Sequence, residues 1–461
     1  MTDSLNIRQS TDFKINELCL LTKGGKVKLN EVYEEINIYE SMLAPCISGN
    51  ILIRDAVGLT SKLLFDGTES LLIDIDKGEG LFRMKRLFRI YSQSDRVNIN
   101  QTSESYILNF ASDEIVLSEQ QTLAECYKGT YTQIAQKIIT SKLLVDPENL
   151  NGVFTPSLGM NDVIIPQLKP FDALNWIAKR AVDSGGQPSF MFFENVEGYN
   201  FCTLSDIMKR PVMFNVFFDV KNLQGQNIKE EMISVRAMEV MSQFDFIKST
   251  QSGVFAGTFI GIDPLTRQVR TEIKTVDNVY NGTRIGNQNP NLPIEFNKKG
   301  QRNVDMPGSR VVVDISTAPR QTSKFIKDND GTSIQTDDTP QKFAYARKAL
   351  LQNFVTQRMK IALPGNFIVS PGRTLYMEVP TRSVNLVDSN NYDITLKGKY
   401  AILSTRHIIR YNQFETIAEV VTNSSEKPLI QAPKVTSRKV TDTTTKSDYS
   451  GDGNVVDLSL G

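Results

Sequence analysis

His407 is the only histidine among 461 residues, so any Ser/His/Asp or Cys/His nucleophilic device has to run through it. It stands in the strand-like run Ser404 to Ile409, where a hydrogen-bonded structural histidine is expected. Four cysteines, Cys19, Cys46, Cys126 and Cys202, lie far apart with no C-x-x-C pair. Beside a single histidine they offer no zinc-ligand spacing, and they read as buried free thiols. Asp448, Ser450, Asp452 and Gly453 echo the opening of a calcium loop, but Ser459 holds the place of the bidentate glutamate and no flanking helix is apparent. Asp328, Asp330 and Gly331 have Ile326 where the first ligand belongs and read as a turn. Gly78 and Gly80 lack the third glycine and the helix of a dinucleotide fingerprint, and no phosphate-loop motif is present. Paired carboxylates such as Asp74 with Asp76, or Glu34 with Glu35, have the composition for glycoside hydrolysis. Alternation along the strand instead puts Asp74 and Asp76 on a solvated face. These residues assign no catalytic, cofactor-binding or metal position, and the expectation is a chain with no enzymatic activity and no cofactor.

The surrounding chain is ordinary in composition. Hydrophobic residues make up 40% and charged residues 23%, as in a soluble globular protein. Lys plus Arg (52) balance Asp plus Glu (52), so the basic excess that would concentrate the chain on nucleic acid or an anionic membrane is missing. The length suits about three domains, each with its own core. Met1, Asp3, Arg8 and Asp12 sit among polar neighbours without a charged-then-apolar signal, and no stretch approaches the roughly 18 apolar residues of a spanning helix. Cytoplasmic synthesis without membrane insertion is expected.

Period-two alternation dominates from Val32 to Ile115: Ile36 and Ile38; Leu71, Ile73 and Ile75; Tyr106, Leu108 and Phe110, with turns at Gly49-Asn50, Asp66-Gly67 and Gly78 to Gly80. Helical spacing follows at Ile134, Ile138 and Leu143, then at Phe171, Leu174, Ala178 and Ala181 behind Pro170. Phe190 to Phe193 and Tyr199 to Thr203 flank a turn at Glu197-Gly198, a hairpin that would pack on those helices. Phe255 to Ile262 suits a strand passing close to another backbone, ended by Asp263-Pro264. From Thr266 to Pro340 the chain is polar, with Val311 to Ile315 its one firm strand. Helical spacing of Phe343, Ala346, Leu350, Phe354 and Gln357 predicts a helix from about Lys342 to Lys360. The β pattern then returns up to Asn423, and the Thr-, Ser-, Lys- and Asp-rich remainder has too little apolar surface to fold alone.

The two β segments echo each other. Gly49-Asn50 leads into Ile51 to Ile53, Gly67 precedes Leu71, Ile73 and Ile75, then come FRIY (Phe88 to Tyr91) and Tyr106 to Ser112. In the same order, Gly365-Asn366 leads into Phe367 to Val369, Gly372 precedes Leu375, Met377 and Val379, then come YAIL (Tyr400 to Leu403) and Glu415 to Asn423. The spacings differ, and either a duplication or two independent barrels with common turn chemistry accounts for the order. With two such barrels per subunit, a ring of three subunits would present six and approximate six-fold symmetry.

LPGNFIVSPGRTLYMEV (Leu363 to Val379), GKYAILSTRHII (Gly398 to Ile409) and FETIAEVVTNS (Phe414 to Ser424) resemble the second barrel of the baseplate hub proteins of contractile-tail phages, a family that shares its barrels with type VI secretion spike proteins. NIYESMLAPCISGNILIRD (Asn37 to Asp55) is similar to the first barrel. IIPQLKPFDALNWIAKRA (Ile164 to Ala181) with FMFFENVEGYNFCTL (Phe190 to Leu204) resembles the α/β domain inserted after it.

The resemblance implies a mainly β fold with α+β insertions, made of two related antiparallel β-barrel domains, an α/β domain and a disordered C-terminal tail. The boundaries expected are 1–120 with 213–250 for the first barrel, 121–212 for the α/β domain, 251–265 with 341–424 for the second barrel, 266–340 for a polar insertion and 425–461 for the tail. It also implies a homotrimeric structural hub in the virion's tail baseplate, assembled in the host cytoplasm. Its partners would be the tail tube or tube initiator, a tail-tip spike protein and baseplate wedge proteins, with DNA passing through a hydrophilic bore. Two other classes compete: a carbohydrate- or receptor-binding tail protein, disfavoured because Trp176 is the only tryptophan and falls on a core helix, and a carboxylate-dependent cell-wall hydrolase.

Overall fold

The computed structural model describes residues 12–63, 65–77, 83–217, 234–263, 268–275, 289–290, 299–300, 302, 311–315, 340–379, 392–393 and 395–425. The first strands are β1 (Lys14–Thr22), β2 (Gly25–Lys28), β3 (Tyr33–Ser41), β4 (Ser48–Asp55), β5 (Ser70–Asp76), β6 (Arg83–Asn98) and β7 (Glu104–Ser112). Alternation puts Leu18, Leu20, Ile36, Ile38, Ile51, Ile53, Leu71, Ile73, Ile75, Tyr106, Leu108 and Phe110 into one closed core. Short helices α1 (Leu59–Lys62) and α2 (Glu114–Glu119) flank these strands.

An α/β unit follows. Strands β8 (Cys126–Gly129) and β9 (Asn161–Ile164) pair with each other, and β10 (Phe190–Asn195) forms a hairpin with β11 (Gly198–Thr203). Helix α3 (Tyr131–Lys142) opens on a Thr130/Gln133 capping box, and α4 (Pro170–Ala178) opens on a proline whose missing N–H costs nothing there. Both helices bury Ile134, Ile138, Phe171, Leu174 and Ile177 against Phe190, Phe192 and Phe201. Helix α5 (Leu204–Lys209) closes the unit behind an N-cap from Thr203.

The remaining strands are β12 (Asn215–Phe217), β13 (Ala237–Ser242), β14 (Gly257–Asp263), β15 (Gln268–Lys274), β16 (Asn289–Pro290), β17 (Val311–Ile315), β18 (Gln357–Pro364), β19 (Thr374–Glu378), β20 (Gly398–Arg410), β21 (Gln413–Thr422) and β22 (Ser424–Ser425), with helices α6 (Phe246–Ser252) and α7 (Pro340–Phe354). A 13-stranded, almost wholly antiparallel sheet runs β13-β18-β21-β20-β3-β4-β7-β6-β5-β1-β2, with β19 on β20 and β12 parallel to β19. A second core, of Met359, Ile361, Leu363, Leu375, Met377, Tyr400, Ile402, Ala418 and Val420, lies under its later strands. The fold is mainly antiparallel β with α+β insertions, and no described helix is long and apolar enough to cross a membrane.

The pairing repeats. β3-β4-β7-β6-β5-β1 and β13-β18-β21-β20-β19-β12 follow the same neighbour order and the same chain order; only the β12–β19 pair is parallel where β1–β5 is antiparallel. The register repeats too. Leu71 faces Phe88 as Leu375 faces Tyr400, and both hairpins carry a bulge at one place, between Ile90 and Ser92 and between Ile402 and Ser404. FRIY and YAIL therefore occupy equivalent positions.

The structure corrects several expectations. Gly49 lies inside β4 opposite Phe110, whereas Gly365 follows β18 and its N–H donates to Phe414 O at 2.7 Å, at the other end of the equivalent strand pair. The two Gly-Asn pairs are thus not counterparts, and Phe367 to Val369 form no strand. The predicted helix stops at Phe354, because Gln357, Met359, Ile361 and Leu363 bury alternate side chains and make β18. Within 213–250, β12 and β13 pair with β19 and β18 of the second half, not with the first. Within 251–265, β14 pairs with β15 and β17 in a separate three-stranded sheet, which joins this stretch to the polar insertion. Gly257 leaves room for the Tyr345 ring, 2.4 Å from where its Cβ would stand, rather than for another backbone. Gly78 to Gly80, Asp328 to Gly331, the Asp448 to Ser459 run and the tail beyond 425 lie outside the described residues.

Candidate functional site: the seam joining the two halves

β20 is long enough to serve two neighbours. Its first residues pair with β19, and Ser404 to Arg410 pair antiparallel with Ser41 to Glu35 of β3, fusing the two halves into one sheet. On this seam lies His407, fully buried, with Nε2 3.0 Å from Glu40 Oε1 and Nδ1 2.9 Å from Thr416 Oγ1. Thr416 Oγ1 also accepts from the Asn366 N–H at 3.0 Å, so its own proton is free for Nδ1, and the network assigns the Nε2–H tautomer donating to Glu40.

Thr416, His407 and Glu40 thus stand in the order of a hydroxyl–imidazole–carboxylate triad. The hydroxyl is fully buried, and the imidazole is packed between Phe367 and Phe414 with ring centroids at 5.0 and 6.0 Å. A nucleophile needs an approach for its substrate. This one is walled in, and the arrangement is a joint, as expected for His407.

Glu40 binds three parts of the chain at once: His407 of β20 through one oxygen, and through the other Ser370 Oγ at 2.7 Å and the Val196 N–H at 3.0 Å in the β10–β11 turn. Glu194, also buried, does the same for the first half, accepting from the Ile47 N–H at 2.8 Å and Ser112 Oγ at 2.5 Å while pairing with Arg86. Arg86 reaches on to Asn195 O and Val196 O, both at 3.1 Å. Burial works against its charge, but Glu194 outweighs that and holds the guanidinium above its usual range. Asn195 Nδ2 donates to Pro371 O at 3.1 Å, and Arg373 pairs with Glu197. The tip of one hairpin is therefore tied to both halves. Every oxygen of the two carboxylates has a donor, the condition under which buried charge is tolerated.

Period-two parity could have found Glu40, which shares the inward face of Ile36 and Ile38. The adjacent carboxylates Glu34 and Glu35 lie apart from it: Glu35 pairs with Arg406 and Arg410, and Glu34 with Arg54, at the surface. Asp74 is not solvated; it is buried under Arg83, whose Nε lies 2.7 Å from Oδ1, and that guanidinium holds its carboxyl below the usual range. Cys19, Cys46 and Cys202 are buried, and burial pushes the thiols of Cys46 and Cys202 up to about 12. Cys126 departs from expectation and is exposed on β8. Among the described residues no group of three or more His, Cys, Asp or Glu side chains could hold a metal ion.

An open cleft of about 200 Å³ between α7 and the hairpin is lined by Met42, Met191, Phe192, Phe354, Leu403 and Arg347. Arg347 is committed to Ala178 O and Pro188 O, both at 3.0 Å, and Phe190 O at 2.5 Å; burial lowers it to about 10. It locks α7 onto the α/β unit.

No protein-family model matches the chain, and no curated protein matches it. Among solved structures it is similar to the tail protein from Neisseria meningitidis MC58, with a TM-score of 0.50 and 13% identity over 88% of this chain and 96% of that one. It is also similar to the 43 kDa tail protein of prophage MuSo2 from Shewanella oneidensis, with a TM-score of 0.48 and 10% identity over 88% and 98%. A further match is the E. coli c3393 protein, described as a type VI secretion component resembling T4 tail proteins gp27 and gp5, at 0.38 and 10% over 91% and 79%. With the meningococcal protein the chain shares its fold, that of a tail protein.

Proposed function

We propose that this chain is a structural hub subunit of a contractile phage-tail baseplate. Three copies form a ring whose six β halves meet the six-fold tail tube on one side, while the remaining domains meet a three-fold spike on the other and wedge proteins around the rim; DNA passes through the bore. The observation that carries this reading is the repeated strand order, β3-β4-β7-β6-β5 against β13-β18-β21-β20-β19, fused through β3 and β20. Two like units per subunit turn three-fold into near six-fold symmetry without a second gene product. The buried, saturated joints around Glu40 and Glu194 suit a part that must hold its shape under load. Permanent rings of this kind bury more than about 2,000 Å² per contact, and at roughly 25 cal/mol per Å² of apolar area that is tens of kcal/mol before ordering costs.

Light scattering on the full chain, alone and with its spike, tests the reading. A mass of three subunits under either condition supports it. A monomer under both overturns it.

A further inference from the structure

The seam between β3 and β20 leaves each half with one unused edge. β6, the counterpart of β20, is covered by β5 from Arg83 to Arg89, and among the described residues nothing pairs with that same edge from Tyr91 to Asn98. β3 lies between β4 and β20, whereas among the described residues its counterpart β13 has only β18 beside it. Exposure follows the pairing. Ile36, Ile38 and Ile409 on the seam are buried, while Val97 on β6 is 60% exposed, Met241 on β13 is 48% exposed, and Phe244 and Ile247 just beyond it are 82% and 70% exposed. Unpaired strand edges with apolar side chains call for a covering partner.

We propose that β13 of one subunit pairs antiparallel with the distal part of β6 of the next, so that the seam formed within each chain recurs between chains. The occupant of each edge is a second copy of this protein, and the inference rests on the ring reading and supplies its edges. The internal seam fixes the register. Arg406 faces Tyr39 and Ile409 faces Ile36. By their places in the equivalent hairpins, Arg406 corresponds to Ser94 and Ile409 to Asn98. Likewise Tyr39 corresponds to Ser242 and Ile36 to Met238.

Ser94 then faces Ser242, and Asn98 faces Met238. Between these pairs β6 has one residue more than β20, at Asp95-Arg96 in place of His407. β13 has one residue more than β3, at Val240-Met241 in place of Ile38. Both extra residues fall at the same level, so one antiparallel register fits the whole contact. No such agreement is required of two edges that never meet. The contact is head-to-tail, and it closes into a ring or continues as a filament according to its rotation.

Directly opposed strand residues lie about 4.5–5.5 Å apart at Cβ, close enough for an engineered disulfide. In full-length protein carrying Cys126→Ser, the pairs Ser94→Cys with Ser242→Cys, and Asn98→Cys with Met238→Cys, are oxidised under mild conditions. Lys26→Cys with Ser242→Cys, which uses the outer edge of β2 and stands opposite Leu21 rather than a native cysteine, is the control. Covalent multimers from the two test pairs, at least about ten-fold above the control, are expected. If light scattering shows a ring but neither test pair cross-links, or the control pair cross-links instead, the edge assignment falls and the ring reading stands. If the chain is a monomer both alone and with its spike, and nothing cross-links under either condition, both fall. Val97→Glu, which this register sets against Glu239, gives a second readout: Val97 is exposed in the single subunit, so circular dichroism stays unchanged while the like charges weaken the contact and the ring mass is lost on dilution. A ring that persists overturns the proposal.

Discussion

Replacing Glu194 by glutamine tests whether the hairpin tip is the joint of the molecule. The change keeps the shape and one acceptor, but removes the charge that faces Arg86 and weakens the acceptance from Ile47 N–H and Ser112 Oγ. Arg86 stays where it is, with most of its side chain shut from water. Taking one partner from a buried ion pair costs about 3–5 kcal/mol, because the remaining charge is left uncompensated. We expect about 3 kcal/mol, the lower end, because Arg86 keeps the Asn195 and Val196 carbonyls. Trp176, the single tryptophan, packs against the α/β core and reports this unit by fluorescence. With a urea slope near ~1.5 kcal/mol per M, the loss appears as a midpoint lower by about 2 M. Adding Arg86→Met should restore a good part of it, since the stranded charge is then gone. A midpoint within about 0.3 M of the parent for Glu194→Gln, or no recovery in the double variant, refutes the reasoning.

Lys77 is buried beside the Phe414 ring, and burial lowers its ammonium to about 8. A base that titrates lower in the folded than in the unfolded state adds stability as pH rises from the folded to the unfolded value, so stability should climb by roughly 2–3 kcal/mol between about pH 8 and pH 10, and Lys77→Met should flatten the climb in denaturation curves taken across that range. Gly49→Ala places a methyl 2.3 Å from Asn37 O and 2.4 Å from Phe110 Cζ, and Gly365→Ala one 2.1 Å from Phe414 Cγ. Each should cost about 1–3 kcal/mol by overpacking, read as a lowered thermal midpoint. Thiol titration of the native chain should find one fast cysteine, Cys126, and four after denaturation.

Much of the β architecture was legible in alternation. Leu71, Ile73 and Ile75 take the places that Leu375 and Met377 take in the second half, and FRIY answers YAIL residue for residue. Alternation assigns a residue to a face without saying what covers that face. Asp74 does point away from the Ile73 side, yet Arg83 and Asn16 close over it. Strand partners were less legible still. β12 has three residues and β13 six, and their partners lie more than a hundred residues away, so local pattern could not place them in the second half. The Gly-Asn echo matched two turns that look alike and stand at opposite ends of equivalent strands. The joint at Glu40 and Glu194 needed the fold itself, since its members come from β3, β10, β20 and the loop at Ser370.

The repeat also shows where the architecture tolerates added sequence. The short link from β3 to β4, Met42 to Ile47, corresponds to the whole stretch between β13 and β18, which holds α6, α7 and a separate sheet. In one copy a tight turn suffices, and in the other the same turn has been opened to carry a domain's worth of chain while both flanking strands keep their pairing, with one residue added to β13. Closing a longer loop costs only slowly increasing entropy. Leu43, exposed at the tip of the short version, is therefore the natural point at which to graft a tag or a folded cargo onto the first half.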